Sequence, residues 1–301
     1  MNLQVQLGNL TLKNPVILAS GTAGYGREIA PYLDLDRVGA LTLKGLSSSP
    51  WMGNPPPRIH ETYAGIMNSI GLENKGFERF LREDLPFLET FQTRVIANIW
   101  GKSIEEYADI ATKMNRLERI DAIEVNVSCP NIDQGGENFS SDGQVLCQLI
   151  GNLRQKIQKP LIVKLGPNTD DFDQVLGFME KEGVDLLSIT NTFPALAIDV
   201  ENQSFIFSRK TAGLSGPAIK PLALKLVYDV IKKTRLPVIG MGGIMKAQDA
   251  LEYLLIGARA VALGSVNLID PSAALQIIDG IEDYMVQKNI SDINDLIGKV
   301  R

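Results

Sequence analysis

The chain is 301 residues long, with 45% hydrophobic and 22% charged residues and a formal net charge of -5 at pH 7. These values fit a soluble globular protein with enough apolar material for a sizeable core, as one large domain or two small ones. Lysines and arginines are scattered among carboxylates, which leaves no basic footprint for nucleic acid.

No run of about 18 or more apolar residues occurs. Met1 leads straight into an alternating strand pattern. No signal peptide, transit peptide or transmembrane helix is therefore expected, and a cytoplasmic setting follows. The cysteines, Cys129 and Cys147, lack metal-ligand spacing. A disulfide between them stays open on sequence alone, although this setting favours reduced thiols. A lone histidine, His60, argues against a zinc site.

In chain order, Leu3–Leu7 and Leu10–Leu12, split by Gly8-Asn9, read as a small hairpin. Short apolar runs then recur at Val16–Ala19, Ala40–Leu43, Val95–Ile99, Ile123–Val127, Leu161–Leu165, Leu186–Ile189, Val238–Met241 and Ala260–Leu263. Helical patterns lie between most of them. A helix is expected between Gly76 and Phe91, and a capping-box sequence at Ser103-Ile104-Glu105-Glu106 opens another, to about Leu117. Further helical spacing covers Val145–Ile157, Phe172–Met179, Ala218–Ile231, Ala247–Leu255 and Ala273–Met285, with Pro217 placed to start its helix.

Eight apolar strands alternating with helices imply a parallel sheet buried on both faces. At this length the closed (β/α)8 barrel leads, as a single domain over residues 1–301, and a doubly wound open sheet is the runner-up. The connections at about 45–66, 129–143 and 191–216 are long, as functional lids and walls are.

A barrel of this kind does its chemistry at the carboxyl ends of its strands. Those ends carry Ser20-Gly21, Lys44-Gly45, Asn98, Asn126 with Cys129, Lys164, Asn191-Thr192, Gly242-Gly243 and Gly264-Ser265. The glycines of the last two strands suit a phosphate, since the backbone can approach it closely; their bland alternative is a pair of tight turns. Lys44 and Lys164, each as readily a surface residue when taken alone, together make a positive site for an anionic substrate. The three asparagines match a ligand edged with amide groups, such as a pyrimidine or an isoalloxazine ring, or else serve loop hydrogen bonding. Cys129 sits where Pro130 ends a strand, so its thiol meets solvent or substrate, whereas Cys147, between Leu146 and Leu149, reads as a small buried hydrophobe. His60 follows Pro55-Pro56-Pro57 and reads as a loop residue; Trp51 and Trp100 read as wall or core.

These residues resemble the dihydroorotate dehydrogenases. The matching motifs are Asn14-Pro15 to Ala19-Ser20-Gly21, Gly53-Asn54-Pro55 with Pro57-Arg58, Asn68-Ser69-Ile70-Gly71-Leu72, Asn126-Val127-Ser128-Cys129-Pro130-Asn131, Gly213-Leu214-Ser215-Gly216-Pro217, Gly242-Gly243 and Gly264-Ser265. The membrane-bound branch has an amino-terminal helical extension and a serine base, and this chain has neither. With Gly24-Tyr25-Gly26-Arg27-Glu28, it is most similar to the soluble NAD-linked class 1B catalytic subunit, which pairs as a homodimer core with a second subunit carrying FAD and a 2Fe-2S cluster in a heterotetramer. The fumarate-linked class 1A is the alternative within the family.

The resemblance implies FMN in the barrel mouth and oxidation of dihydroorotate to orotate in pyrimidine (UMP) biosynthesis. Cys129, as thiolate, would take a proton from ring carbon 5 while hydride leaves carbon 6 for the flavin. An ordinary cysteine pKa lies above neutrality, so activity rises on the alkaline side unless the site lowers it. Carried over by position, Ser20, Lys44, Gly45, Asn98, Asn126, Lys164, Ile189, Gly216, Gly242, Gly243, Gly264 and Ser265 contact FMN. Lys44, Asn68, Ser69, Ile70, Gly71, Leu72, Asn126, Asn191 and Thr192 hold orotate; no metal is implied.

The sequence departs from the family pattern at Asp133, where lysine is frequent, at Ser140-Ser141 after Phe139, and at Ala195 and Ala212, which replace glycines. All are expected to touch loops over the substrate and to bear on loop motion and turnover. Three other readings remain open: a related pyrimidine reductase, a phosphate-binding barrel using Lys44 or Lys164 in Schiff-base chemistry, and a non-catalytic barrel subunit that binds a nucleotide.

Overall fold

The structure is a computed structural model and describes residues 1–127, 143–169 and 171–300. The expectations at Cys129, Pro130, Asn131, Asp133, Phe139, Ser140 and Ser141 lie outside the described residues. Strands β1 (Val5–Leu7) and β2 (Leu10–Leu12) form the expected antiparallel hairpin. A Cβ on Gly8, at its tip, would lie 3.6 Å from the Asp185 carbonyl oxygen, just ahead of a barrel strand. The hairpin thus sits at the amino-terminal end of the barrel, opposite the site.

The remaining strands are β3 (Val16–Leu18), β4 (Ala40–Thr42), β5 (Ile59–Thr62), β6 (Gly65–Asn68), β7 (Arg94–Ile99), β8 (Ala122–Asn126), β9 (Leu161–Leu165), β10 (Leu186–Ile189), β11 (Phe193–Leu196), β12 (Ile198–Asp199), β13 (Ser204–Phe205), β14 (Thr211–Ser215), β15 (Val238–Met241) and β16 (Ala260–Leu263). The order β3-β4-β7-β8-β9-β10-β15-β16 is parallel throughout and closes β16 onto β3. These are the eight runs read from the sequence, and closure makes the (β/α)8 barrel rather than the open sheet.

Helices α1 (Phe77–Glu83), α2 (Leu85–Leu88), α3 (Ile104–Asn115), α4 (Gly143–Lys156), α5 (Phe172–Lys181), α6 (Lys220–Lys233), α7 (Ala247–Leu255), α8 (Val266–Ile269) and α9 (Ala273–Gln287) complete the set. At the start of α3 the Glu106 N–H donates to Ser103 Oγ, while the Glu106 carboxylate accepts from the Lys102 N–H. Both bonds satisfy amides that the helix leaves without an internal partner. Pro217 opens a short 3-10 turn, Pro217–Ile219, rather than α6 itself; Pro221 occupies the first turn of α6. Neither proline has a donor to lose there.

The long connections are not plain loops. Strands from two of them join as a four-stranded antiparallel sheet in the order β11-β14-β6-β5. This corrects His60, which lies in β5 with its ring edge-on to Phe207, centroids 6.4 Å apart. Met67, Phe207 and Ala212 are the buried centre of a second apolar cluster belonging to this sheet. Ala195 and Ala212, the two alanines at glycine positions, face each other across β11 and β14. They belong to strands and pack as a pair in this cluster, so their burden falls on the covering sheet.

The sheet ties together two segments expected to hold substrate, because β6 leads into Asn68–Leu72 and β11 follows Asn191-Thr192. Gly213 of β14 is the closest crossing: a Cβ there would stand 2.0 Å from Thr192 Oγ1 and 2.7 Å from its Cβ. Thr192 is too short to swing away, so the strand or Thr192 must move. Gly213→Ala is expected to destabilise the fold by about 1–3 kcal/mol, read as a lower urea midpoint; an unchanged midpoint would show that the crossing yields freely.

Candidate active site

Strand alternation points Asn98 of β7, Glu124 and Asn126 of β8, Lys164 of β9 and Ser188 of β10 to the same side of the wall, into the barrel. All five are buried. A buried polar group is costly unless it finds a partner, and here each does. Asn98 Nδ2 donates to Glu124 Oε1 at 2.7 Å, and Ser188 Oγ donates to Glu124 Oε2 at 2.7 Å. Lys164 Nζ donates to Ser20 Oγ at 3.1 Å. Asn191 Nδ2 donates to Asn126 Oδ1 at 3.3 Å, and Tyr107 OH donates to the Asn126 carbonyl at 2.7 Å.

Above this layer lies a cavity of about 370 Å³ at the carboxyl ends of the strands. Lys44, Asn98, Asn126, Lys164, Asn191 and Thr192 line it, as do Ser20, Gly45, Asn68, Ile70, Gly71 and Leu72. The glycine side of the same cavity is Gly216, Gly242, Gly243, Gly264 and Ser265. A Cβ on Gly264 would meet nothing within 4 Å, so this glycine faces open space that a ligand can enter.

Two expected residues do not reach the cavity lining. Ile189 is fully buried in the barrel wall, because alternation turns it opposite to Ser188; Thr190, next along the chain, lines the cavity instead. Ser69 is also buried and accepts from Asn54 Nδ2 at 2.9 Å. The segment alternates there too, presenting Asn68 and Ile70 and turning Ser69 into its own support. Cys147 is half-buried on α4, less enclosed than expected, and burial pushes its thiol pKa up. Trp51 and Trp100 meet edge to face at 6.1 Å, and Trp51 Nε1 donates to the Gly71 carbonyl at 2.9 Å. They are wall and core, as read.

The two lysines differ in kind. Lys44 Nζ lies 3.0 Å from Glu73 Oε2, and Arg58 shares that oxygen at 3.8 Å. Lys164 is 5% exposed and, among the described residues, its ammonium donates to a neutral hydroxyl, Ser20 Oγ. Thr190 Oγ1, also lining the cavity, is buried and has no hydrogen-bond partner among the described residues. Among the described residues no group of three or more His, Cys, Asp and Glu side chains is placed to hold a metal ion, and no helix is long and apolar enough to cross a membrane.

The family model for dihydroorotate dehydrogenase matches residues 2–285. The chain belongs to the dihydroorotate dehydrogenase family. Among curated relatives, the "dihydroorotate dehydrogenase B (NAD(+)), catalytic subunit" of Lachnoclostridium phytofermentans is 46% identical over 301 residues, covering 100% of both chains. The protein of the same name from Geotalea daltonii is 47% identical over 300 residues, covering 100% of this chain and 98% of its own. A crystal structure of DHODH from Eimeria tenella in complex with ferulenol superposes with a TM-score of 0.81 at 23% identity, covering 99% of this chain and 88% of its own; at that identity the likeness concerns the fold.

In this dihydroorotate dehydrogenase family member, reading strand ends missed Glu73, Glu124, Ser188 and Thr190. Glu124 was legible, two places before Asn126 on the same strand face. Glu73 was not, because only the folded loop returns it to Lys44.

The glycine side is braced from behind. Gly243 has φ +68°, and a Cβ on it would lie 2.8 Å from the Gly216 carbonyl oxygen, so only glycine suits the turn. Tyr253 OH donates to the Gly242 carbonyl at 2.7 Å. Asp249 accepts from the Met245 and Lys246 N–H groups at 2.9 and 3.1 Å and takes the Lys220 ammonium at 2.7 Å. Burial pushes the Asp249 carboxyl pKa up, but the Lys220 hydrogen bond and the amides outweigh it and hold the group below its ordinary value. A depressed folded pKa gives stability that is present above the unfolded value, near 4, and is lost as pH falls through the folded one. The urea-midpoint advantage of the parent chain over Asp249→Asn is therefore expected in full at pH 6 and to shrink below about pH 4; an advantage independent of pH would exclude this brace.

Proposed function

We propose that this chain is the catalytic subunit of an NAD-linked, class 1B dihydroorotate dehydrogenase. It oxidises dihydroorotate to orotate in pyrimidine biosynthesis and binds FMN in the barrel mouth, as a single cytoplasmic domain. The observation that carries this reading is one cavity bringing together both lysines, the three strand-end asparagines and the glycines that end the last two barrel strands.

The residues fit FMN in three respects. The glycine side is an anion-sized cradle with open space at Gly264. Lys164 is a buried cation that donates to a neutral hydroxyl, which suits a ring that gains negative charge. Thr190 Oγ1 is a buried hydroxyl without a partner among the described residues, and so can bond a ligand. On this reading Gly216, Gly242, Gly243, Gly264 and Ser265 hold the phosphate end, and Ser20, Gly45, Asn98 and Lys164 hold the ring end. Ile189 contributes through its backbone alone. FMN, when bound, supplies the two-electron acceptor for the hydride leaving carbon 6.

The chain's own residues do the rest. Lys44 pairs with the substrate carboxylate, and Asn68, Asn126, Asn191 and Thr192 fix the pyrimidine edge through donors and acceptors whose directions are already set by hydrogen bonds within the site. Cys129, three residues past the end of β8, takes the proton from carbon 5. Electrons then pass to NAD through a second subunit carrying FAD and a 2Fe-2S cluster, around a homodimer core of this chain.

Cys129→Ala is expected to keep bound flavin and to lose most dihydroorotate oxidation with an artificial acceptor at neutral pH. Cys129→Ser should recover activity only at higher pH, because a hydroxyl gives up its proton less readily than a thiol. Near-parent turnover by both variants would remove Cys129 from the mechanism, and a colourless parent protein unable to take up FMN would remove the reading itself.

Glu73 yields a second expectation. It neutralises Lys44 in the resting site and must give way to an anionic substrate. Glu73→Gln should therefore tighten orotate by about 3- to 10-fold while leaving kcat near the parent value, if the displaced pair is worth about 1 kcal/mol, as exposed pairs are. Weaker orotate binding in an equilibrium titration would mean instead that Glu73 aims Lys44.

A further inference from the structure

Glu124 is a buried carboxylate at the barrel mouth that the proposed chemistry does not use. It is 3% exposed, and among the described residues no ion pair holds it. Burying an acidic group on two neutral donors costs stability, and its effect falls on Asn98. A side-chain amide can present either its oxygen or its nitrogen to a ligand. Both Glu124 oxygens accept here, from Asn98 Nδ2 and from Ser188 Oγ, each at 2.7 Å, so the Asn98 amide is held with its nitrogen toward Glu124. The oxygen then takes the other side, toward Gly45: a Cβ on Gly45 would lie 2.8 Å from Asn98 Oδ1, and both residues line the cavity. Ser188, bonded to the second oxygen of Glu124, keeps the carboxylate from turning.

We propose that Glu124 is a positioning residue that locks Asn98 as a hydrogen-bond acceptor on the cavity wall, so that the ligand edge meeting it must present an N–H. The matching class is a fused-ring heterocycle with a lactam or imide N–H, such as a flavin; a ring edge carrying only acceptors would leave Asn98 Oδ1 unpaired and bind worse. The inference rests on the FMN reading and adds the polarity of the contact together with the residue that sets it.

The test is a titration of FMN into flavin-stripped parent and variant proteins, with circular dichroism as a check on the fold. Glu124→Leu removes the acceptor in a shape close to the original and lets the Asn98 amide turn. It is expected to keep the parent spectrum and to weaken FMN about tenfold, as the loss of one oriented hydrogen bond does. Glu124→Gln is the conservative counterpart and leaves Asn98 in place. Its Oε1 still accepts from Asn98 Nδ2 while its Nε2 donates to Ser188 Oγ, so the Asn98 oxygen again faces the cavity. Its FMN affinity is expected within about threefold of the parent, a rescue that a packing role for residue 124 would not produce. The proposal is overturned if Glu124→Gln weakens FMN as much as Glu124→Leu does, or if a folded Glu124→Leu binds FMN like the parent. A parent protein that takes up no FMN would overturn the functional reading beneath it, and that result is distinct from either of these.

Discussion

The structure turns on the need to satisfy polar side chains that the barrel forces inward. A small closed barrel has no pore; its interior is filled by the side chains of alternate residues. Over most of the height those residues are apolar and need only volume. At the carboxyl end the same alternation delivers Asn98, Glu124, Asn126, Lys164 and Ser188, which need partners. They find them in one another, in Ser20 and in Asn191, so the floor of the cavity is oriented before any ligand arrives. That order is what a site must have if binding is not to lose affinity to rearrangement.

The barrel was legible because its information is local. Each strand is a short apolar run, each helix a periodic one, and the chain repeats the pair often enough to exclude other layer arrangements. The covering sheet was not legible, because its strands pair across long separations: Gly213 is opposite Asn68. β5 is largely exposed and carries no clean apolar alternation. His60 was misplaced for that reason, since three prolines before it outweighed a weak pattern. Within the site, residues at strand ends were found and those acting from behind were not. Ile189 and Ser69 show the converse, as residues beside the right position whose side chains alternation turns away.

The covering sheet also changes the meaning of the two alanines at glycine positions. In separate loops they would be two independent losses of backbone freedom. Facing each other in one strand pair, Ala195 and Ala212 are one packing event: each methyl group meets the other residue's strand, and Ala212 is buried with Met67 and Phe207. Because β6 of this sheet carries Asn68 to the cavity, the added contact lies in the frame of the cavity wall.

The lysines show how one cavity can hold two cations for different ends. Lys164 is enclosed, with a hydroxyl as its neighbour, so its field is strong and stays in place whatever else binds. Lys44 is more open and already compensated by Glu73, itself shared with Arg58. A partly exposed ion pair is worth about 0–1 kcal/mol, too little to keep out a carboxylate that brings further hydrogen bonds with it. On the proposed reading, the fixed charge would serve a ring whose own charge changes during turnover, and the exchangeable one a ligand that must leave after each cycle. Had Glu73 been seated at Lys164, the two sites would have exchanged character: the enclosed lysine would be compensated, and the open one would stand bare to any incoming anion.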